Sequence, residues 1–297
     1  MGLFGFGNYE REGKGVRKDE KRKKGLALYF ELLGRKFGSY VKLNITYLVT
    51  LTPAFLILHF LCYYLSSELI AREEAFGILP FILSAFLTVA FSLSPFSSGY
   101  YYILRNYSEE RHAWLFSDFA EQFRKNKKQS LLTFFIDLFA VIFSLFLIRV
   151  YLISYFKIST WTLVPLIILL IFLITFKNSV TYRWTSIVTL ELPLRSIYTN
   201  SVLLTLGELG ATIKYMFAEL LYLLVFGFLF YNFDVFALII FLLVGISGFG
   251  LIQQINFFDK FKKYFLEGKS INEVLDDLAE ENKHKKEEIF GTKKADD

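Results

Sequence analysis

The 297-residue chain has one cysteine, Cys62. No disulfide can form within it, and cysteine usage leaves the redox compartment open. Its three histidines, His59, His112 and His284, lie far apart. No HExxH, CxxC or His–carboxylate spacing offers a metal site. There is no Gly-rich phosphate loop, because "GFGNYE" near the start precedes no strand–helix unit. GxSxG, paired catalytic carboxylates and metal triads are missing too. No catalytic residue, metal ligand or cofactor is therefore expected. Nucleic-acid reader motifs are also absent. The first forty residues are polar and basic instead of a short apolar stretch behind a few charges, so a cleaved signal peptide is not expected.

What the chain has in excess is apolar surface. Hydrophobic residues make up 54%, with 35 Phe and 18 Tyr, and the mean hydropathy is +0.43. A soluble domain of this size needs far more polar surface. The apolar residues gather in runs near the length of a membrane span, roughly 20 residues. Six segments emerge, at 41–65, 76–104, 130–153, 161–182, 213–231 and 235–257. The second is expected to begin near Pro80 and to kink near Pro95, where the ring removes a backbone donor. Only "YNFD" joins the last two, giving a tight hairpin; a five-span alternative would merge or demote one of that pair. The reading is an all-α integral membrane protein of about six transmembrane helices in three hairpins, with amphipathic cytoplasmic surface helices. A basic segment (1–25) precedes the transmembrane domain (26–258), and a cytoplasmic helical tail (259–297) follows.

Lys and Arg set the orientation. With the N terminus inside, the outer side carries only Arg72, Arg149 and Lys157 of the 33 basic residues. Both termini are then cytoplasmic. The connection at 105–129 becomes a cytoplasmic basic–aromatic helix, with Trp114, Leu115, Phe119 and Phe123 able to share one face. Arg124, Lys125, Lys127 and Lys128 crowd its end and form a candidate contact patch for anionic headgroups of the inner leaflet. The segment "GLALYFELLGRKFGSY" reads as another interfacial helix. In the tail, Ser270 and Glu273 suggest a capping box, with Ile271, Val274, Leu275 and Leu278 as a short apolar stripe.

Asn44, Asn126 and Asn200 each precede an apolar run, 82 and 74 residues apart. Val41, Phe123 and Ile197 stand three positions earlier, and Phe37, Phe119 and Pro193 seven earlier. This suggests a threefold repeat of surface helix plus hairpin; convergent use of Asn at the start of a span is the other reading.

Asp137, Lys177 and Glu219 fall within spans and Arg183 just beyond one, all in the inner third. Charges there are costly and should face the bundle, a wet cavity or the interface. One reading is a polar site, with Lys177 paired to Asp137 or Glu219 and Asp137 favoured through the shared hairpin. The other is structural pairing, or snorkelling of Lys177. Small residues in "GISGFG" (245–250) suit close helix packing, and a kinked helix is the competing reading.

Several segments carry a family resemblance: "GKGVRKDEKRKKGLALYFELLGRKFGSYVKLNITYL", "ILRNYSEERHAWLFSDFAEQFRKNKKQ" and "TYRWTSIVTLELPLRSIYTNSVLL". Together they resemble the YesL-like membrane proteins of Gram-positive bacteria, over most of residues 10–210. The points of contact are Asn44, Pro95, Gly99, Arg105, Asn106, Asp118, Phe119, Phe123, Lys125, Asn126 and Asn200. Gly13-Lys14-Gly15-Val16 stands where members often have Gly-Pro-Gly-Val. The resemblance implies a bacterial cell-membrane protein whose genes commonly neighbour carbohydrate ABC transporters. It brings no established activity and no binding residues. Three functions follow as expectations: a non-enzymatic accessory to carbohydrate uptake, partnered by a carbohydrate ABC transporter; a small transporter or channel; and, as the weakest, an intramembrane enzyme.

Overall fold

The computed structural model describes Lys23 and residues 25–66 and 73–261. The basic N-terminal segment, the "GKGV" stretch and the capping-box tail lie outside the described residues. Within them every regular element is helical. That follows from the composition: in an apolar medium long Leu, Ile and Phe runs can satisfy their backbone groups only within a helix or a closed barrel.

Among the described residues, five helices are long and apolar enough to cross a membrane, at Phe37–Ser66, Lys127–Tyr155, Thr160–Thr189, Leu209–Asn232 and Val235–Ile255. The chain is an all-α, membrane-embedded protein. The sixth expected span, 76–104, is not one helix. It divides into α3 (Glu73–Ala90) and α4 (Ser97–Ser108), and Pro80 lies inside α3 instead of starting it. The break falls at 91–96, with Ser92 in the left-handed region at φ 49°. Pro95 cannot donate a backbone bond, and serines take over the lost hydrogen bonds. Ser94 Oγ accepts from the Phe96 N–H at 3.1 Å, and Ser97 Oγ donates to the Ser92 carbonyl at 2.7 Å. The last pair stays separate, as α10 (Leu209–Asn232) and α11 (Asp234–Ile240), hinged at Phe233.

A structural motif occurs three times. Surface helix α1 (Leu26–Arg35) ends at Lys36 and α2 (Phe37–Ser66) starts at once. Helix α5 (Leu115–Lys125) ends at Asn126 before α6 (Lys127–Lys157), and α9 (Leu194–Gly207) ends at Glu208 before α10. The elbow residues share one conformation: φ/ψ of −120°/29°, −104°/16° and −107°/41°. Each donates its N–H four residues back, to Leu32, Gln122 and Leu204. Each accepts from the residue four ahead, namely Tyr40, Ser130 and Thr212, all buried. The elbows stand 90 and 82 residues apart. The asparagine register expected from the sequence is therefore corrected. Asn126 is an elbow, Asn44 lies eight residues after its elbow, and Asn200 lies eight before its own.

The returning arm of every hairpin is interrupted. Besides the 91–96 break, Ser179 separates α7 (Leu163–Asn178) from α8 (Val180–Thr189). A π-helical turn, Phe241–Gly245, separates α11 from α12 (Ile246–Phe261). Of these arms, α4, α8 and α12 pack against one another at the elbow end. Residues 180–187 and 245–255 are buried without exception. Long arms α2, α6 and α10 surround them, showing apolar side chains outward. Glycine permits the close approaches. A Cβ on Gly99 would stand 2.6 Å from the Phe119 carbonyl oxygen, and one on Gly250 would collide with Tyr100 and Leu104. The small residues of "GISGFG" do pack closely, and the segment begins at the π turn.

Asn44 closes that π turn. Its side chain donates to the carbonyls of Phe241 and Leu242 at 3.1 and 2.8 Å. Its oxygen accepts from the N–H groups of Ile246 and Ser247, both at 2.8 Å. Tyr222 adds a bond to the Gly245 carbonyl at 2.8 Å. One buried amide thus serves four backbone groups left by the changed helix period. Asn44→Leu removes all four bonds and strands buried backbone groups. We expect it to cost about 2–4 kcal/mol, read from thermal unfolding in detergent. An unchanged midpoint contradicts the patching role.

Candidate functional site

Eleven residues past each elbow, three helical turns, the same inward face returns. The positions are Tyr47, Asp137 and Glu219, all buried. Each meets the polar lining of a returning arm. Tyr47 bonds Ser97 Oγ at 2.7 Å and stacks on Tyr100, 3.8 Å between ring centroids. Asp137 and Glu219 each meet a cation.

Asp137 Oδ2 accepts from Arg183 Nη2 at 2.9 Å, and Oδ1 accepts from the Tyr198 hydroxyl at 2.8 Å. The side chains of Arg183 and Asp137 are 0% and 1% exposed, so this ion pair is wholly interior. Arg183 also donates to the Phe176 carbonyl at 3.2 Å and to Ser179 Oγ. Its guanidinium lies over the rings of Phe176 and Tyr198, 4.2 and 4.9 Å from their centroids. A planar cation with five donors suits such a slot between aromatic faces. The expectation that Arg183 lies just beyond a span is corrected. Helix α8 continues the line of α7 and draws Arg183 into the centre.

Lys177 pairs with Glu219 Oε2, not with Asp137. The favoured partner is thus corrected: the face of α6 that carries Asp137 meets Arg183 and Tyr198, while Lys177 meets Glu219 of α10. Glu219 Oε1 accepts from Gln253 Nε2 at 2.7 Å, and Gln253 Oε1 accepts from Thr181 at 3.2 Å. Lys177 Nζ lies 5.7 Å from the Phe249 ring centroid. The four candidate residues therefore form two pairs on neighbouring helices instead of one cluster. Their partners Tyr198 and Gln253, and Tyr47 at the matching position of the first hairpin, were not singled out in the sequence. Adjacent Gln253 and Gln254 inside an apolar run are the one signal that could have marked a partner.

All four carboxylate oxygens of Asp137 and Glu219 accept at least one hydrogen bond or ion-pair contact. Tyr47, Ser92, Tyr100, Tyr101, Phe249 and Gln253 close on one another without leaving room for a water-sized molecule. Among the described residues no three His, Cys, Asp or Glu side chains gather as a metal site.

The basic patch divides from its aromatic face. Arg124, Lys125, Lys127 and Lys128 are exposed. Phe119 is buried over Gly99, and Phe123 packs on Phe96, 4.4 Å between centroids. Half the expected interfacial stripe is therefore protein core, because α5 folds back on α4. Trp114 and Phe116 remain exposed at 69% and 73%. Asp118, in the first turn of α5, reaches back to accept from the Trp114 N–H at 2.8 Å. Next to it the α1 elbow is pinned by Lys36, which donates to the Arg111 carbonyl at 3.1 Å. Burial draws the Lys36 ammonium below its ordinary pKa, with Glu110 opposing.

No family model, curated protein or solved structure matches the chain.

Removing one partner of a buried pair typically costs about 3–5 kcal/mol. Lys177→Met should therefore destabilise, Glu219→Gln should restore much of the loss, and Asp137→Asn should add to it. Arg183→Met should show the reverse preference, with rescue by Asp137→Asn alone. Thermal stability of the singles and doubles decides; identical coupling for both carboxylates contradicts the two-pair geometry.

Proposed function

We propose that this membrane-embedded protein is a non-enzymatic accessory or regulatory component of a carbohydrate-uptake system in a bacterial cell membrane. The observation that carries this reading is the closed centre. Two cations and two carboxylates neutralise each other completely, and every carboxylate oxygen is engaged. Such a centre holds the second and third hairpins in register, and Asn44 ties in the first, which leaves the exposed elbow face as the place to act. The resemblance to YesL-like proteins supplies the link to carbohydrate ABC transporters.

In this reading the elbow end is cytoplasmic. Lys and Arg crowd that end, as expected for inner loops. At the opposite end Arg149 lies over the Tyr64 ring, 5.6 Å from its centroid. A cysteine replacing Trp161, 79% exposed at that far end, should react with an impermeant maleimide in intact Cys62→Ser cells. One replacing Lys127 should react only after lysis. The opposite pattern reverses the orientation.

The second reading is a small transporter. The three interrupted returning arms favour it, because transporters build midplane sites from broken helices. Two assays separate the readings. Near-stoichiometric co-purification of a carbohydrate ABC transporter supports the accessory role. Solute flux in liposomes holding this protein alone supports transport and overturns it.

A further inference from the structure

We infer that the protein carries a built site for one anionic glycerophospholipid, with an acyl chain in the groove between α6 and α7 and the headgroup on the basic foot of α6. The inference rests on the chain being membrane-embedded and not on the carbohydrate-uptake role.

The groove has a volume of about 520 Å³ and is walled almost wholly by apolar side chains. Phe139 and Phe143 of α6 face Phe172 of α7 across it, and Ala140 is small enough to leave the space open. The three phenylalanines are 68%, 50% and 51% exposed. The lining runs along α6 from Leu132 to Leu147. Fifteen residues of helix are about 22 Å long. A leaflet's hydrocarbon is about half of the roughly 30 Å core. The groove is thus long enough for an acyl chain and no wider than two facing helices allow.

Its two ends differ. Lys128 lies one helical turn before Leu132 and shares the face of Leu132, Phe135 and Phe139, by the i, i+4, i+7, i+11 spacing. Lys127 stands beside it, and Arg124 and Lys125 end α5 at the same elbow. All four are exposed. Four cations at the foot of an apolar slot match a molecule with an anionic head and an apolar tail. They argue against a second copy of the chain. Two copies facing one another across α6, in one membrane with one orientation, would set eight like charges side by side.

The probe is the full-length protein in nanodiscs of equal phosphatidylglycerol and phosphatidylcholine, exchanged into mild detergent. Intact-complex mass spectrometry then counts retained lipid. One phosphatidylglycerol per chain is expected, in preference to phosphatidylcholine. Each basic residue beside an anionic headgroup is worth about fivefold in affinity. Lys127→Gln with Lys128→Gln should therefore weaken retention about twenty-five-fold, and these exposed changes should leave the fold intact. A benzophenone side chain replacing Phe139 should crosslink to phosphatidylglycerol, and should lose that selectivity in the Lys127→Gln, Lys128→Gln background. Equal retention of both lipids overturns the site, as does undiminished retention in the double variant or a protein dimer crosslinked through Phe139. Failure to co-purify a transporter would leave these results unchanged, so the two proposals fail separately.

Discussion

A guanidinium inside an apolar interior must be answered at close range, and both terminal nitrogens of Arg183 are answered, while its Nε alone has no hydrogen-bond partner. Asp137 meets it from α6, Tyr198 supplies a ring from α9, and Phe176 supplies a carbonyl and a ring from α7. Its own helix, α8, packs on α4 and α12. One side chain therefore fixes the relative positions of most of the second hairpin and of the surface helix that leads to the third. Buried pairs of this kind add little net stability over a well-packed apolar core. Their effect here is on register: a displaced α8 would leave a charge with no partner.

The three hairpins follow the same plan with different chemistry. Each begins at an elbow of matching backbone geometry, presents a buried polar residue three turns later, and returns through an interrupted arm. Tyr47, Asp137 and Glu219 occupy that recurring position. The interruption also takes three forms: serine-bridged loop, single-residue joint and π turn. Polar side chains bond backbone groups at each of them: serines at the loop, Ser179 and Arg183 on the Phe176 carbonyl at the joint, and Asn44 at the π turn. Asn44 does this across nearly two hundred residues of sequence, from the first hairpin to the third. The polar centre and the broken arms are thus two sides of one requirement, since no water is at hand to satisfy either.

Much of this was legible in the sequence. Run length and composition gave the all-helical membrane class, the surface helices before spans one, three and five, and the hairpin at Phe233. They also marked Asp137, Lys177, Arg183 and Glu219 as charges that must be reconciled with an apolar layer. Two things were hidden. Apolar content does not distinguish one long helix from two short ones, so the 91–96 break looked like a kink at Pro95. Chain proximity suggested Asp137 for Lys177, yet partner choice depends on which helix faces meet, and α8 brings Arg183 to Asp137 first. The asparagine register misled for a related reason. Repeats are conserved here in backbone elbows, whose residues, Lys36, Asn126 and Glu208, share no side-chain chemistry.

Helices α4, α8 and α12 pack as one unit, with α8 held in place by the Arg183–Asp137 pair. Hydrogen–deuterium exchange in lipid nanodiscs tests this most directly, comparing the wild type with Arg183→Met. Cooperative units open together. Exchange should rise in parallel across residues 97–108, 180–189 and 246–255, although the change lies in only one of them. A rise confined to 180–189, with the other two segments as protected as before, would contradict the account.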